Sequence, residues 1–248
     1  TRRPRLYFWL RNAFMLFTLV WLGWLVGAQV TIINILTWIQ AAFGTFNPDV
    51  ILSDPLIIVL MTYVLATFFI WGRGIFCGWL CPFGSMQELL AKIAQACRLP
   101  QVQLSPTTHR YLWPVKYIIL IGLVGLSFYS MTTASIASEV EPFKTAISLK
   151  FAREWPYVIY AMTLLSAGLV VERFFCRFFC PLGAAMAIGG KLRMLTPLKR
   201  HTECGSPCHL CEQKCPISAI EPTGKIKMSE CFYCLDCQIV YHDEHACP

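Results

Sequence analysis

The chain reads as an α-helical membrane protein, with four transmembrane helices arranged as two repeated hairpins, followed by a small C-terminal ferredoxin-like module for two clusters. Three observations predict this. Of its 248 residues, 56% are hydrophobic and only 14% charged, a balance typical of chains that spend most of their length in lipid. The turn FCxxxCPxG occurs twice, 99 residues apart, at Phe76–Gly84 and Phe175–Gly183. The segment 199–248 holds eight of the thirteen cysteines.

Four apolar stretches, 13–33, 52–71, 112–131 and 155–172, are long enough for a hydrocarbon core of about 30 Å, which takes about 20 residues. The intervening piece from Asn34 to Ser53 keeps Trp38, Ile39 and Phe43 and is expected to be interfacial or re-entrant. Most tryptophans fall near span ends, where amphipathic rings sit in a bilayer. Arg2, Arg3, Arg5 and Arg11 precede the first span, Arg73, Lys92, Arg98 and Arg110 separate the second from the third, and a further group from Arg173 to Arg200 follows the fourth. The positive-inside bias therefore predicts that both chain ends lie in the cytoplasm. The first outward loop carries Asp49 and no Lys or Arg, and the second balances Lys144, Lys150 and Arg153 against Glu139, Glu141 and Glu154. On this reading residues 1–198 form the transmembrane domain and 199–248 a cytoplasmic module.

In each FCxxxCPxG the two cysteines lie four apart, on one face of a helical turn, and the proline stops the helix from continuing. Cys77, Cys81, Cys176 and Cys180 thus stand at two equivalent helix breaks, and repeat symmetry would bring four thiolates to one metal. Copper, zinc, an iron–sulfur cluster or a redox dithiol all suit the spacing, and so does plain packing of small apolar residues at a kink. After each motif an amphipathic stretch, Ser85 to Arg98 and Ala184 to Leu195, is expected along the inner membrane face. Glu88 is the one carboxylate in them, and Cys97 stands outside both patterns.

The C-terminal cysteines repeat a different unit. Cys204, Cys208 and Cys211 precede Cys215-Pro216, and Cys231, Cys234 and Cys237 precede Cys247-Pro248. Three closely spaced thiolates with a fourth before proline form the arrangement in which each run wraps one cubane and lends its last cysteine to the other. The predicted ligand sets are Cys204, Cys208, Cys211 and Cys247 for one 4Fe-4S cluster, and Cys231, Cys234, Cys237 and Cys215 for the other. Two zinc sites or a disulfide framework are the competing readings, although zinc ribbons present two well-separated CxxC knuckles instead. His242 and His245, between Cys237 and Cys247, are alternative ligands.

Other classes find no support. The net charge of +7 follows the span ends and forms no basic stripe with interleaved aromatics, so nucleic acid is not an expected partner. No nucleotide-binding glycine loop occurs. None of the five histidines lies in a span, which excludes a bis-histidine haem within the bilayer.

Cys176-Arg-Phe-Phe-Cys180-Pro-Leu-Gly, Lys199-Arg-His-Thr-Glu-Cys204-Gly-Ser-Pro-Cys208 and Glu230-Cys231-Phe-Tyr-Cys234-Leu-Asp-Cys237 together resemble the NosR/NapH family of membrane iron–sulfur proteins of anaerobic respiration. The resemblance covers essentially the whole chain. It implies an electron-transfer component that supports nitrous oxide reductase, by electron supply or by maturation of that periplasmic copper enzyme. Copper handling by the CxxxCP pairs, or a quinol dehydrogenase role, are the alternatives it carries. It also implies nitrous oxide reductase or its assembly proteins as partners, quinol as a further candidate, and FMN only in an upstream domain outside these residues.

Overall fold

A computed structural model describes residues 4–27, 29–43, 55–102, 104–196, 198, 204–206, 208–243 and 247. Its elements are helical, and among the described residues the only sheet-like pairings are isolated bridges, Cys204 with Cys208 and Ile220 with Ile226. Helix α1 (Pro4–Phe17) widens into a π-helical stretch, Thr18–Leu25, and ends at Gly27, whose φ of +70° supplies the left-handed stop. Then come α2 (Ile32–Phe43), α3 (Pro55–Trp71), the first CxxxCP turn and α4 (Pro82–Ala96). The second half runs α5 (Pro106–Leu112), α6 (Val115–Tyr129), α7 (Met131–Ala137), α8 (Trp155–Val170), α9 (Phe174–Phe178, carrying the second motif) and α10 (Pro181–Gly189). Two short helices, α11 (Leu210–Gln213) and α12 (Asp236–Tyr241), belong to the cysteine-rich module.

Two stretches, Pro4–Leu25 and Thr107–Tyr129, are long and apolar enough to cross a membrane, while Thr62–Trp71 and Trp155–Val170 are apolar but shorter. The first helix begins well before the expected boundary at residue 13. Arg11, counted in the sequence as a flanking cation, is 3% exposed inside the helix because Glu88 of α4 neutralises it.

The repeat is visible in the packing. Helix α4 lies against α1, its π-helical extension and α8, and α10 lies against α6. The ring of Phe68 from α3 closes over Gly189 of α10, where a Cβ would stand 2.6 Å from it. Helices α4 and α10, expected along the membrane face, bury much of their surface against other helices: Phe83, Gln87, Ala91, Ala184 and Ala187 are at most 1% exposed, while Ile93 and Ile188 further on are exposed. Small residues at Gly84, Ser85, Ala91, Gly183, Ala184, Ala187 and Gly189 let neighbouring backbones approach, as in membrane helix interfaces.

The segment after α7, expected as a charged outward loop, also turns inward. Glu139 and Arg153 pair at its rim, but Glu141, Phe143, Ala146 and Ile147 are buried. The Phe143 ring meets Phe83 at 5.1 Å and Phe175 at 5.7 Å, one residue from each of the two motifs. The balanced charges hid a short apolar run. Helix α2 makes the equivalent excursion in the first half, burying Ile32 and Leu36 against Leu120, Leu123, Ala134 and Ala184. The cysteine-rich module shares one hydrophobic core with the helices, through Cys211, Cys215, Ile217, Ile220 and Phe232.

Candidate iron–sulfur and thiolate sites

Cys204, Cys208, Cys211 and Cys247 line a single small pocket together with Leu210, Ile220 and Val240. Cys231 lies within electrostatic reach of Cys215, Cys234 and Cys237, which forms a second thiol group. The loops around this second group turn their amides onto sulfur. Ala219 N–H donates to Cys215 Sγ at 3.3 Å and Tyr233 N–H to Cys231 Sγ at 3.4 Å. Ser218, Tyr233 and Leu235 take left-handed φ to do so, a backbone cost that tight wrapping of a ligand repays. Burial pushes the Cys231 thiol up to about 12, so at neutral pH only a bound cation would make it a thiolate. His242 lies exposed at the end of α12, and His245 lies outside the described residues.

In the CxxxCP turns the second cysteine is the N-cap of the next helix. Cys81 Sγ accepts from Gly84 N–H at 3.4 Å and Cys180 Sγ from Gly183 N–H at 3.2 Å, with proline at N1 in both. The motif is thus an N-cap in which sulfur takes the place of the usual side-chain oxygen. Proline supplies a helical φ where an amide is not needed, and the helix dipole favours negative charge on the sulfur. Cys77 and Cys176 sit one turn earlier. Cys176 is within electrostatic reach of Cys77 and Cys81, and Cys180 of Cys77 and Cys176, so the fold brings the two pairs together. Burial raises all four thiols, Cys77 to about 11, with Arg73 and Arg173 opposing the shift there. Met186 Sδ stands 4.0 Å from Cys77 Sγ, and Gln29 Nε2 3.6 Å from Cys81 Sγ. Cys97 is exposed at the end of α4, away from this group.

The two thiol regions are in direct contact. A Cβ at Gly78 would lie 1.8 Å from the Phe232 carbonyl oxygen, and one at Gly74 2.2 Å from the Tyr233 ring, so both glycines exist to admit the loop Glu230–Cys234. Trp79 Nε1 donates to Tyr233 O at 3.1 Å, Tyr233 Oη to Trp71 O at 2.8 Å, and Arg11 Nη1 to Cys234 O at 2.7 Å. The Phe232 ring lies between the guanidiniums of Arg73 and Arg173, each 4.8 Å from its centre.

Charges around this seam are buried and shared. Glu230 binds Arg73 at 3.2 Å and also Lys116, while Glu88 takes Arg11 in a two-pronged pair at 2.9 and 2.8 Å together with Arg173. Burial would raise the Glu88 carboxyl, but Arg173 and Arg11 outweigh it and hold it below its usual range. Sequence reasoning treated Arg11, Arg73 and Arg173 as topology markers and passed over Lys116 within the expected third span. Their signal was present: a carboxylate or cation inside an otherwise apolar stretch is costly unless paired, so each implies a buried partner.

The donor sets fit iron–sulfur clusters. Each C-terminal group offers four cysteine thiols, the ligand set a cubane takes; among the described residues no three Cys, His, Asp or Glu side chains are placed to hold a single metal ion, at these groups or at the CxxxCP quartet. Buried Arg177 leaves Nε and Nη2 without a hydrogen-bond partner, within electrostatic reach of Cys215. An anionic cluster held at Cys215 would supply what that guanidinium lacks.

Comparison with known proteins agrees. The profile of a 4Fe-4S binding domain matches residues 53–100 and 155–199, the segments that carry the two CxxxCP turns, and the NosR profile matches 202–248. The class is that of a membrane protein of iron–sulfur electron transport, with 4Fe-4S-binding repeats. The regulatory protein NosR of Pseudomonas aeruginosa is 51% identical over 247 residues, covering 100% of this chain and 34% of that protein. NirI of Paracoccus denitrificans is 44% identical over 247 residues, covering 100% of this chain and 36% of NirI. A further Pseudomonas aeruginosa sequence named NosR is 56% identical over 73 residues, 29% of this chain and 73% of that sequence. The chain belongs to the NosR family and spans about a third of the length of the long NosR and NirI relatives. No solved structure matches it.

Proposed function

We propose that this chain is the membrane electron-transfer portion of a NosR-type protein serving nitrous oxide reduction. Its four apolar helices sit in the bacterial inner membrane with both chain ends and the cluster module in the cytoplasm. Cys204, Cys208, Cys211 and Cys247 ligate one 4Fe-4S cluster, and Cys215, Cys231, Cys234 and Cys237 the other, each a one-electron carrier when bound. The chain's own residues fix the carriers against the membrane-edge quartet Cys77, Cys81, Cys176 and Cys180. The observation that carries this reading is the close approach of Phe232 to Gly78, which joins the two thiol regions with no intervening layer.

Nitrous oxide reductase, or its assembly machinery, is the proposed beneficiary, and FMN belongs to a domain outside these residues. A second reading makes the quartet a copper-handling site. Met186 Sδ beside Cys77 favours it, because thioether and thiolate together suit copper(I). Anaerobically purified protein should contain at least about eight iron and eight acid-labile sulfide, the content of two cubanes. Stoichiometric zinc without sulfide would overturn the cluster reading, and bound copper with quartet-dependent retention would favour the second. Reporter fusions placing the segment 199–248 outside the cytoplasm would overturn the topology.

A further inference from the structure

We infer that Arg177 is the charge partner of the cluster at Cys215, Cys231, Cys234 and Cys237, a positioning residue that raises that centre's reduction potential from within the second CxxxCP turn. The inference rests on the proposed ligation of that centre.

Arg177 is 3% exposed, yet its Nε and Nη2 find no hydrogen-bond partner. The other buried cations of the seam all have carboxylates: Arg11 and Arg173 bind Glu88, and Arg73 and Lys116 bind Glu230. Among the described residues Arg177 meets only the ring of Phe178, 5.0 Å away, with His109 packed on that ring at 5.6 Å. The anionic groups within its electrostatic reach are Cys215, Glu230 and Glu172. Glu230 is already committed to Arg73, Lys116 and Tyr117, and Glu172 makes no ion pair with Arg177. Cys215 remains, itself buried, with the amide of Ala219 already turned to its sulfur.

The repeat gives an independent argument. The residue after the first cysteine of the motif is Gly78 in one half and Arg177 in the other. Gly78 makes room for the carbonyl of Phe232, the residue after Cys231, while Arg177 is in reach of Cys215. Both repeats therefore devote this position to the same docked centre, one by removing a side chain and the other by adding a cation. A guanidinium suits the task because its planar fork can meet several sulfurs at once and keeps its charge.

A cubane held by four thiolates is an anion, and one-electron reduction adds a further negative charge to it. A fixed buried cation stabilises the reduced form more than the oxidised form, so its removal lowers the midpoint. The test is an EPR-monitored redox titration of the anaerobically purified, cluster-loaded chain, comparing wild type with Arg177→Gln and Arg177→Lys. Arg177→Gln is expected to disfavour reduction of one centre by about tenfold, equivalent to about 59 mV for a one-electron couple. Arg177→Lys should recover most of that shift, and the signal that moves should be the one lost in Cys231→Ser. Loss of one cluster's iron in Arg177→Gln but not in Arg177→Lys would also support a charge role. Unmoved midpoints with full iron in Arg177→Gln, or equal cluster loss in both variants, would overturn the inference. Wild-type protein lacking labile sulfide would instead overturn the ligation on which it rests.

Discussion

Glu141 lies 4% exposed between two backbone amides, accepting from Ile32 N–H at 2.9 Å and Leu182 N–H at 3.3 Å. Burial outweighs these bonds and raises its carboxyl from 4.5 to about 8. Between those values an unfolded chain has released the proton while the folded one still holds it. The stability that protonated Glu141 contributes is therefore complete below pH 4.5 and is lost as pH rises to about 8, by about 1.4 kcal/mol per pH unit. Thermal unfolding measured from pH 5 to 8 should show this decline, and Glu141→Gln should flatten it; a slope unchanged in the variant would assign the effect elsewhere. Glu230 poses the opposite case, because its charge is wanted. Glu230→Gln leaves Arg73 and Lys116 buried with a neutral amide, and removing one member of such a network costs on the order of 3–5 kcal/mol. The denaturant midpoint of the purified protein should fall accordingly, with a smaller loss in Glu139→Gln at the partly exposed rim, where its partners Arg153 and Lys144 keep access to solvent.

At the scale of elements, docking of the loop Glu230–Cys234 depends on a missing side chain. Gly78→Ala sets a methyl 1.8 Å from the Phe232 carbonyl oxygen, so the loop must withdraw. Hydrogen exchange should speed up at Phe232 and Tyr233 and the thiols of the second group should become more reactive. Gly125→Ala in α6, where nothing lies within 4 Å, should leave exchange at the loop as in wild type. If both variants protect the loop equally, the contact is not what holds it. The sequence made the repeat legible, since FCxxxCPxG encodes its own helix break and N-cap through Cys81-Pro82 and Cys180-Pro181. The C-terminal cysteine runs were legible as runs, because spacing is local, and Cys204, Cys208, Cys211 and Cys247 do line one pocket. The docking was not, because a glycine admitting a carbonyl looks like any other glycine until the partner is in place. Nor was the burial of α4 and α10, since an apolar stripe facing lipid and one facing another helix have the same composition. The inward run at Phe143–Ile147 was hidden by Lys144 and Glu139, whose mutual pairing at the rim removes the electrostatic obstacle to folding back.

Over the whole molecule the two halves meet at the CxxxCP turns, and Cys77, Cys81, Cys176 and Cys180 should act as one unit. Each half supplies a sulfur capping a helix N-terminus and a second sulfur one turn earlier, so neither half completes a four-thiolate site alone. Substituting any one cysteine by serine then leaves three ligands that cannot hold the same group. On the proposed function, single variants should each abolish nitrous oxide respiration in cells that depend on this protein, and combined substitutions should add little, the non-additivity expected of residues that work together. The two C-terminal clusters should survive in these variants, because their eight cysteines lie in the module and Cys→Ser at a helix cap keeps an oxygen to accept the Gly84 or Gly183 amide. Iron content and EPR signals assigned to the C-terminal cysteines should therefore be retained while growth on nitrous oxide fails. Under the packing alternative, the serine hydroxyl substitutes at a kink for a modest loss of stability. Near-normal growth by all four single variants at normal protein levels would remove the quartet as a functional site, leaving CPxG as a sulfur-capped device for starting a buried helix.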